Sequence, residues 1–249
     1  MPHTEDILHG RYAVVSCHVE RPLDDEAWRR FAALQKRRPG RFAIAALMRP
    51  PAPGEDEQLW LERAREAQAH GPFGLHTHWT APDHARPTGG GDPAALVREQ
   101  GRWLRSVGLE ARFFCGGGWY LDAAVAEAVA ELGYTDCTAT AFRPEYLAPD
   151  APHVELHEPA WLELRDGRRL LELPTTHSIG MLARGLLGPF RRQVVHAYFH
   201  DTDLLDGRRY TALRVGLAFL ALKRTAVDLD DLQRGLRPEK TMSLANSRA

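Results

Sequence analysis

The sequence predicts an α/β protein built on a parallel β-sheet, and two observations support this prediction. Short apolar segments typical of buried strands alternate with segments whose apolar residues recur at helical spacing. No internal repeat and no long linker divides the 249 residues. We therefore expect a single domain over residues 1–249, with a core from about 12 to 236. Its sheet is either open or closed into a barrel.

The first half of the chain contains strands that are each followed by a helix. Pro39 and Gly40 end the first helix. Asp92 and Pro93 begin the third, because Asp is a good N-cap and Pro suits the first helical position. The predicted elements are a strand at 12–17, a helix at 26–38, a strand at 42–47, a helix at 55–69, a strand at 72–78 and a helix at 93–107.

The second half adds a β-hairpin to this pattern. Asp122 caps a helix that ends at Gly133, and a turn at Asp166 and Gly167 joins two apolar stretches into the hairpin. Residues 238–249 are polar, and we expect this flexible tail to fray. The predicted elements are a strand at 111–115, a helix at 123–132, strands near 134–138 and 153–156, the hairpin at 161–173, a strand at 193–199, a helix at 210–224 and a short helix at 228–236.

Composition and charge exclude several classes of partner. The formal net charge of -1 gives no reason to expect nucleic acid or an anionic membrane. Residues 1–10 do not resemble a secretory signal, and no apolar run reaches the ~18 residues that span a bilayer. Cys17, Cys115 and Cys137 lack CxxC spacing and indicate free thiols in a reducing compartment. We expect a cytoplasmic protein with a small-molecule or saccharide substrate, and a homo-oligomer is compatible with the sequence.

The segment GLHTHWT, which contains His76 and His78, is the most informative in the chain. The two histidines end a predicted strand two residues apart, so their side chains project from one face. His18 and Glu20 follow the first strand at the same spacing, and His200 follows the last. Because the carboxyl ends of parallel strands meet at one edge, Glu20, His76 and His78 predict a two-histidine, one-carboxylate metal site.

A divalent cation is therefore the predicted cofactor. Zinc is the first candidate, and iron, manganese, cobalt and nickel are compatible. Such an ion lowers the pKa of bound water toward ~7 and polarises a carbonyl group. In the alternative reading, His76 and His78 are polar loop residues, and Glu20 forms a surface ion pair with Arg21.

Several segments of the chain follow one another in a familiar order. They are SCHVE at 16–20, FGLHTHW at 73–79, FFCGGGW at 113–119, DCT at 136–138, LP at 173–174 and HDTDL at 200–204. Together they resemble the motifs of the polysaccharide deacetylase (NodB-homology) family, carbohydrate esterase family 4 and its relatives. The resemblance implies a distorted (β/α) barrel of about seven strands. It also implies metal-dependent hydrolysis of an N- or O-acetyl group.

Two residues depart from the family pattern. His18 occupies the position of the family's catalytic-base Asp, and Cys115 occupies that of an Arg that holds this Asp. An arginine beside a histidine would oppose imidazolium formation, so the two changes are compatible with one coordinated alteration. They are equally compatible with lost activity, which would leave a deacetylase-like protein that binds a metal or carbohydrate without turnover.

The resemblance also implies catalytic roles. His18 would accept the proton of the attacking water or act as a fourth metal ligand. His200 would protonate the leaving amine or alcohol, and Asp201 or Asp203 would orient its ring.

The substrate is expected to contact two tryptophans and a glycine-rich segment. Trp79 and Trp119 flank the predicted site and could stack on a sugar face. Cys115, Gly116 and Gly117 lie at the end of the fourth predicted strand and are predicted to line the substrate site.

Binuclear amidohydrolases, a second class of barrel enzyme, also use a His-x-His motif at a strand end. They usually carry it on the first strand and often use a bridging lysine on the fourth. Here the motif follows the third predicted strand, and Lys36, Lys223 and Lys240 all lie away from mid-barrel strand ends. This interpretation ranks below the deacetylase one.

Overall fold

The sheet of this protein is mostly parallel, and helices connect its strands. The computed structural model describes residues 10–81, 83–145, 147, 151–185 and 192–244. Within these residues, the strands are β1 Tyr12–Val19, β2 Ala45–Met48, β3 Phe73–Thr77, β4 Phe113–Gly116, β5 Thr135–Asp136, β6 Ala160–Glu163, β7 Arg169–Glu172, β8 His177–Ser178, β9 Val194–His200, β10 Thr225–Ala226 and β11 Thr241–Ser243. Their order is β11-β6-β7-β5-β4-β3-β2-β1-β9-β8, with β10 paired to β1.

Aspartates begin most of the helices. The helices are α1 Asp25–Arg37, α2 Glu57–His70, α3 Pro93–Ser106, α4 Ala123–Glu131, α5 Ile179–Gly185, α6 Gly207–Lys223 and α7 Leu229–Gly235. The predicted caps Asp92 and Asp122 accept hydrogen bonds from the amides of Ala95 and Val125, respectively. These bonds satisfy amides that lack a partner within the helix.

The β-hairpin is confirmed, and it is the antiparallel pair of the sheet. β6 and β7 pair antiparallel with Ala160 opposite Glu172, and Gly167 in the turn has φ +80°. The other strand pairs of the described residues are parallel. The prediction of a mainly parallel α/β sheet therefore holds.

Two sequence predictions are wrong. The expected strand at 153–156 is reduced to an isolated bridge between Glu155 and Thr140. The tail does not simply fray, because Thr241–Ser243 pairs with β6 as β11 and buries Leu244. The polar composition of residues 238–249 does not indicate this pairing, because it depends on β6, which lies about 80 positions earlier in the chain. Residues 245–249 lie outside the described residues.

The two faces of the sheet have different surroundings. The main core lies between the sheet and the helices and contains Val15, Cys17 and Phe31. A second, smaller core on the opposite face contains Val14 and Phe113. Alternation along each strand therefore decides which side chains reach the helices and which reach the second face.

The chain between β7 and β8 forms hydrogen bonds in two directions. The amides of Leu173 and Thr175 donate to the carbonyl oxygens of Asp136 and Ala139, respectively, whereas the amide of Thr176 donates to the carbonyl oxygen of His196 in β9.

No helix among the described residues is long and apolar enough to cross a membrane.

Candidate metal and catalytic centre

Three strands bring histidines to one face of the sheet. His18 in β1 is the register partner of His200 in β9, and His76 in β3 is the register partner of Cys115 in β4. Cys17, the neighbour of His18, has the opposite parity and packs in the core under the helices. The side chains of His18, His76 and His200 thus project to one side, as the strand period of two predicts.

Glu20 lies at the centre of these histidines. Its Oε1 is 3.9 Å from Nε2 of His76, 3.6 Å from Nε2 of His78 and 3.5 Å from Nε2 of His200. Burial alone would raise the pKa of Glu20, but its contacts with the imidazoles hold the pKa well below its usual range. Glu20 is therefore a carboxylate at neutral pH. We refer to these four residues and His18 as the histidine cluster.

His76 is held in the tautomer that suits a metal ligand. Its Nδ1 lies 2.9 Å from the carbonyl oxygen of Cys115. Because a carbonyl only accepts, Nδ1 is the donor, and the Nε2 lone pair faces Glu20. Burial lowers the pKa of His76, which keeps the ring neutral.

His18 is enclosed by other rings. It is 2% exposed, and its ring centroid lies 4.6 Å from that of His76 and 5.2 Å from those of Trp119 and Tyr198. Its Nε2 has no hydrogen-bond partner among the described residues. Burial, together with His76 and His200, holds the pKa of His18 well below its usual value. The cluster therefore contains a buried nitrogen with an unused lone pair or proton.

The surroundings of His200 raise its pKa, whereas those of His18 lower the pKa of that ring. Its Nδ1 lies 3.6 Å from Oδ2 of Asp203, and Oδ1 of Asp203 accepts a 2.6 Å hydrogen bond from Arg209. Burial alone would lower the pKa of His200, but the carboxylates of Asp203 and Glu20 raise it. His200 therefore favours its protonated form, and 32% of its side chain is exposed, so that substrate can reach it.

Asp201 positions a backbone rather than a histidine ring. Its carboxylate accepts hydrogen bonds from the amides of Glu20 (3.2 Å), Arg21 (2.8 Å) and Thr202 (2.9 Å). Of the two aspartates expected to orient His200, Asp203 has the contact with the ring. Asp201 instead fixes the chain that carries Glu20, and burial raises its pKa to about 6.

The glycine segment after β4 brings two backbones together. A Cβ on Gly117 would collide with the carbonyl oxygens of Thr77 and Ala85, so this position requires glycine. Gly116 donates its amide to Oγ1 of Thr138 at 2.8 Å. The segment therefore lies against the end of β3, beside the histidine cluster.

Both predicted sugar-stacking tryptophans are largely buried. Trp79 is 8% exposed and donates Nε1 to the carbonyl of Gly117 at 3.0 Å. Trp119 is 5% exposed and contacts the ring of Tyr198 at a centroid distance of 4.9 Å. The two tryptophans are walls of the site, and Tyr198 in β9, which the sequence analysis did not identify, is a third wall residue.

A pair of carboxyl groups lies in β5 and β7. Asp136 and Glu172 are register partners, and both are fully buried. Asp136 accepts hydrogen bonds from Thr138, and Glu172 accepts one from the amide of Ala139. Burial and the neighbouring Asp136 raise the pKa of Glu172 well above its usual value, which favours its protonated form. We refer to Asp136 and Glu172 as the carboxyl pair.

Two cavities reach the histidine cluster from different sides. One of about 440 Å³ is lined by His78, Trp79 and Arg49. The other, of about 480 Å³, is lined by His200 and Tyr198. A substrate could therefore reach the cluster from either side.

The donors of the cluster fit a divalent ion. Ligand atoms of Glu20, His76 and His78 lie within 4.8 Å of one another. Tetrahedral zinc bonds of 2.0–2.2 Å place ligand atoms about 3.5 Å apart, so a small closure of the side chains would suffice. Two imidazoles and one carboxylate leave positions open for water, as catalytic zinc sites do. Cys115, predicted as a substrate contact, forms a second such group with His18 and His76.

The chain shares its fold with a part of one solved structure. It aligns with the 4-alpha-glucanotransferase of Thermococcus litoralis at a TM-score of 0.56 and 14% identity, over 93% of this chain and 39% of that enzyme. It therefore spans about two fifths of the length of that structure. A candidate polysaccharide deacetylase involved in O-antigen biosynthesis in Bordetella bronchiseptica aligns at a TM-score of 0.47 and 12% identity, over 91% of this chain and 89% of that one. No family model and no curated protein matches the sequence.

Proposed function

We propose that this protein is a metal-dependent hydrolase of the polysaccharide deacetylase type. It removes an acetyl group from an N- or O-acetylated substrate that contains a sugar or is a small amide. The observation that carries this proposal is the position of Glu20, whose carboxylate faces His76, His78 and His200 at 3.5–3.9 Å. Two of these histidines are suited to hold an ion, and the third, His200, favours its protonated form and is accessible.

Glu20, His76 and His78 would hold the ion. When bound, a divalent ion supplies an activated water molecule and polarises the acetyl carbonyl. His200 gives a proton to the leaving amine or alcohol, because Asp203 and Glu20 favour its protonated form. The Arg209 contact holds Asp203 in place, and Asp201 fixes the backbone of Glu20.

His18 has two uses in such a site. Its neutral ring can accept a proton, or its buried Nε2 can bind an ion. Trp119 and Tyr198 cover the ring and limit the access of bulk water to it. The acetyl carbonyl therefore lies toward the more exposed side of the cluster, between the two cavities.

Closure of the sheet into a barrel is part of the proposal. The bonds from Leu173 and Thr175 to the β5 side and from Thr176 to β9 support it. A closed barrel would hold β3, β1 and β9 at fixed spacing and so preset the distances from Glu20 to the histidines.

The test combines metal content with acetate release. Protein purified without a histidine tag or chelator is analysed for bound metal, then incubated with N-acetylated and O-acetylated sugars and small amides. The His76→Ala/His78→Ala double variant is compared with His70→Ala/His157→Ala, which changes two exposed histidines. We expect near-stoichiometric metal and acetate release in the wild type and the exposed pair, and loss of both in the site variant.

The outcomes separate the proposal from its rivals. Metal that disappears in the site variant, with no acetate released from any substrate, would favour a metal-binding or carbohydrate-binding protein without turnover. Protein that remains metal-free after incubation with zinc would overturn the proposed centre.

A further inference from the structure

His18 and Cys115 extend the metal centre inward. Their ligand atoms and one of His76 lie within 4.8 Å of one another, and all three residues are at most 2% exposed. This inner ligand set shares His76 with Glu20 and His78. We propose that the protein binds a thiophilic divalent ion through the Cys115 thiolate together with His18 and His76. This inference rests on the proposed function in one respect, since His76 is a metal ligand in both.

The first supporting observation is the unused nitrogen of His18. His18 is 2% exposed, and its Nε2 has no hydrogen-bond partner in the described part of the chain. Buried polar atoms are nearly always paired, because leaving one unpaired is unfavourable. An ion beside His18 would supply the missing partner.

The second observation is the direction of the Cys115 side chain. Cys115 and His76 are register partners on adjacent parallel strands, so their side chains project to the same face. The Cys115 thiol makes a long 3.8 Å contact with the carbonyl of Gly116, and the side chain of Thr138 is its second partner. Because a thiol forms only weak hydrogen bonds, little is lost when it turns toward the imidazoles.

The third observation is that His76 can bind only one ion. Its Nδ1 donates to the Cys115 carbonyl, which leaves Nε2 as the one ligand atom. The inner set and the outer set of Glu20, His76 and His78 therefore compete for a single ion. Thiolate and imidazole donors favour zinc and cobalt over magnesium or calcium, which prefer oxygen ligands.

Cobalt substitution tests the inference on the whole protein. A thiolate bound to Co²⁺ gives an intense near-ultraviolet charge-transfer band, which nitrogen and oxygen ligands do not give. We expect the wild type to show this band at one cobalt per chain. Cys115→Ser should abolish it, and His18→Ala should weaken cobalt binding at least about 10-fold.

Cys137→Ser is the matched control, because Cys137 is also fully buried and lies in the same smaller core. Its band should equal that of the wild type, and circular dichroism confirms that each variant is folded. X-ray absorption of the zinc protein provides a second measurement. A sulfur atom at about 2.3 Å from zinc is expected, against about 2.0–2.1 Å for nitrogen.

The outcomes distinguish this inference from the proposed function. Stoichiometric cobalt without the band, and zinc without a sulfur neighbour, would overturn the thiolate ligand and leave the outer set as the metal centre. A protein that binds neither cobalt nor zinc would overturn both proposals.

Discussion

Two glutamates of the same sheet have different neighbours. Glu20 of the histidine cluster directly follows β1, and Glu172 of the carboxyl pair is the last residue of β7. Imidazoles surround Glu20 and hold its pKa well below the usual range. Glu172 faces another carboxyl group, and burial with Asp136 raises its pKa. Neither member of the carboxyl pair forms an ion pair with a cationic side chain among the described residues. The same type of side chain thus favours its charged form in one region and its neutral form in the other.

This difference shows that the neighbouring side chains set the charge of a buried carboxyl group as much as burial does. Glu20 keeps a charge that can attract a cation. In the carboxyl pair, Thr138 and Ala139 donate hydrogen bonds to Oδ1 of Asp136 and Oε1 of Glu172, whereas Oδ2 of Asp136 and Oε2 of Glu172 have no hydrogen-bond partner among the described residues. We infer a structural role for the pair and a chemical role for the cluster.

Replacing His200 should have the largest effect on turnover. His200→Ala removes the proton donor without removing Glu20, His76 or His78, so kcat for acetate release should fall ~10²- to 10⁴-fold. Metal content, measured by elemental analysis, should stay near the wild-type value. A variant that loses its metal instead would show that His200 is a ligand.

Breaking the carboxyl pair should chiefly affect stability. Glu172→Ala opens a cavity at a fully buried position and removes the acceptor of the Ala139 amide, so the free energy of unfolding should fall by about 3 kcal/mol. Urea unfolding at neutral pH measures this change. Glu172→Gln, which keeps a hydrogen-bonding group of the same shape, should retain most of the stability. Equal losses in the two variants would contradict a protonated Glu172.

The pH dependence of stability sharpens the comparison. Because the pKa of Glu172 is raised in the folded state, its contribution is complete below the unfolded pKa of about 4.3 and is lost as pH rises through the folded pKa. Glu172→Gln cannot titrate, so it should lack this decline, which is at most about 1.4 kcal/mol per pH unit. Unfolding series from pH 5 to 8 for both proteins provide the measurement. Parallel curves would argue against the raised pKa.

Replacing Asp203, which contacts the ring of His200, should have a smaller effect on turnover than replacing His200 itself. Asp203→Asn removes a negative charge beside the ring, so the pKa of His200 should fall, and the alkaline limb of the kcat profile should move to lower pH. The expected loss is greatest at alkaline pH, and acid conditions should restore activity. An unchanged profile would show that another group is the proton donor.

The smallest effect is expected at Arg209. Its side chain is 67% exposed, so the pair with Asp203 is screened by water and salt. Arg209→Met should change the free energy of unfolding by less than about 1 kcal/mol, measured in urea at low and high salt. A larger loss would mean that Arg209 holds Asp203 more firmly than its exposure indicates.

Residues within regular strands could be placed from the sequence. The alternation of β1, β3 and β9 predicts that His18, His76 and His200 share a face, and the structure has this arrangement. Parallel strands also explain why residues far apart in the chain meet at one edge. This part of the site depends only on strand period and order.

Residues outside regular strands could not be placed in this way. Asp201 and Asp203 lie in a 3₁₀ turn after β9, where the period of two no longer applies. Asp201 turns back to the amide of Glu20, a contact across 181 positions of the chain. The position of Cys115 beside His18 likewise depends on the order of strands in the sheet, which the sequence alone left open.

The short strand β11 has a consequence for self-association. It pairs with β6 through Thr241–Ser243, and the amide of Leu244 donates to Glu163. An unpaired strand edge can act as a template for another chain. A protein truncated before Thr241 would expose the β6 edge and should form larger assemblies that light scattering detects. We therefore expect the pairing of β11 with β6 to limit self-association at this edge, independently of the chemistry of the histidine cluster.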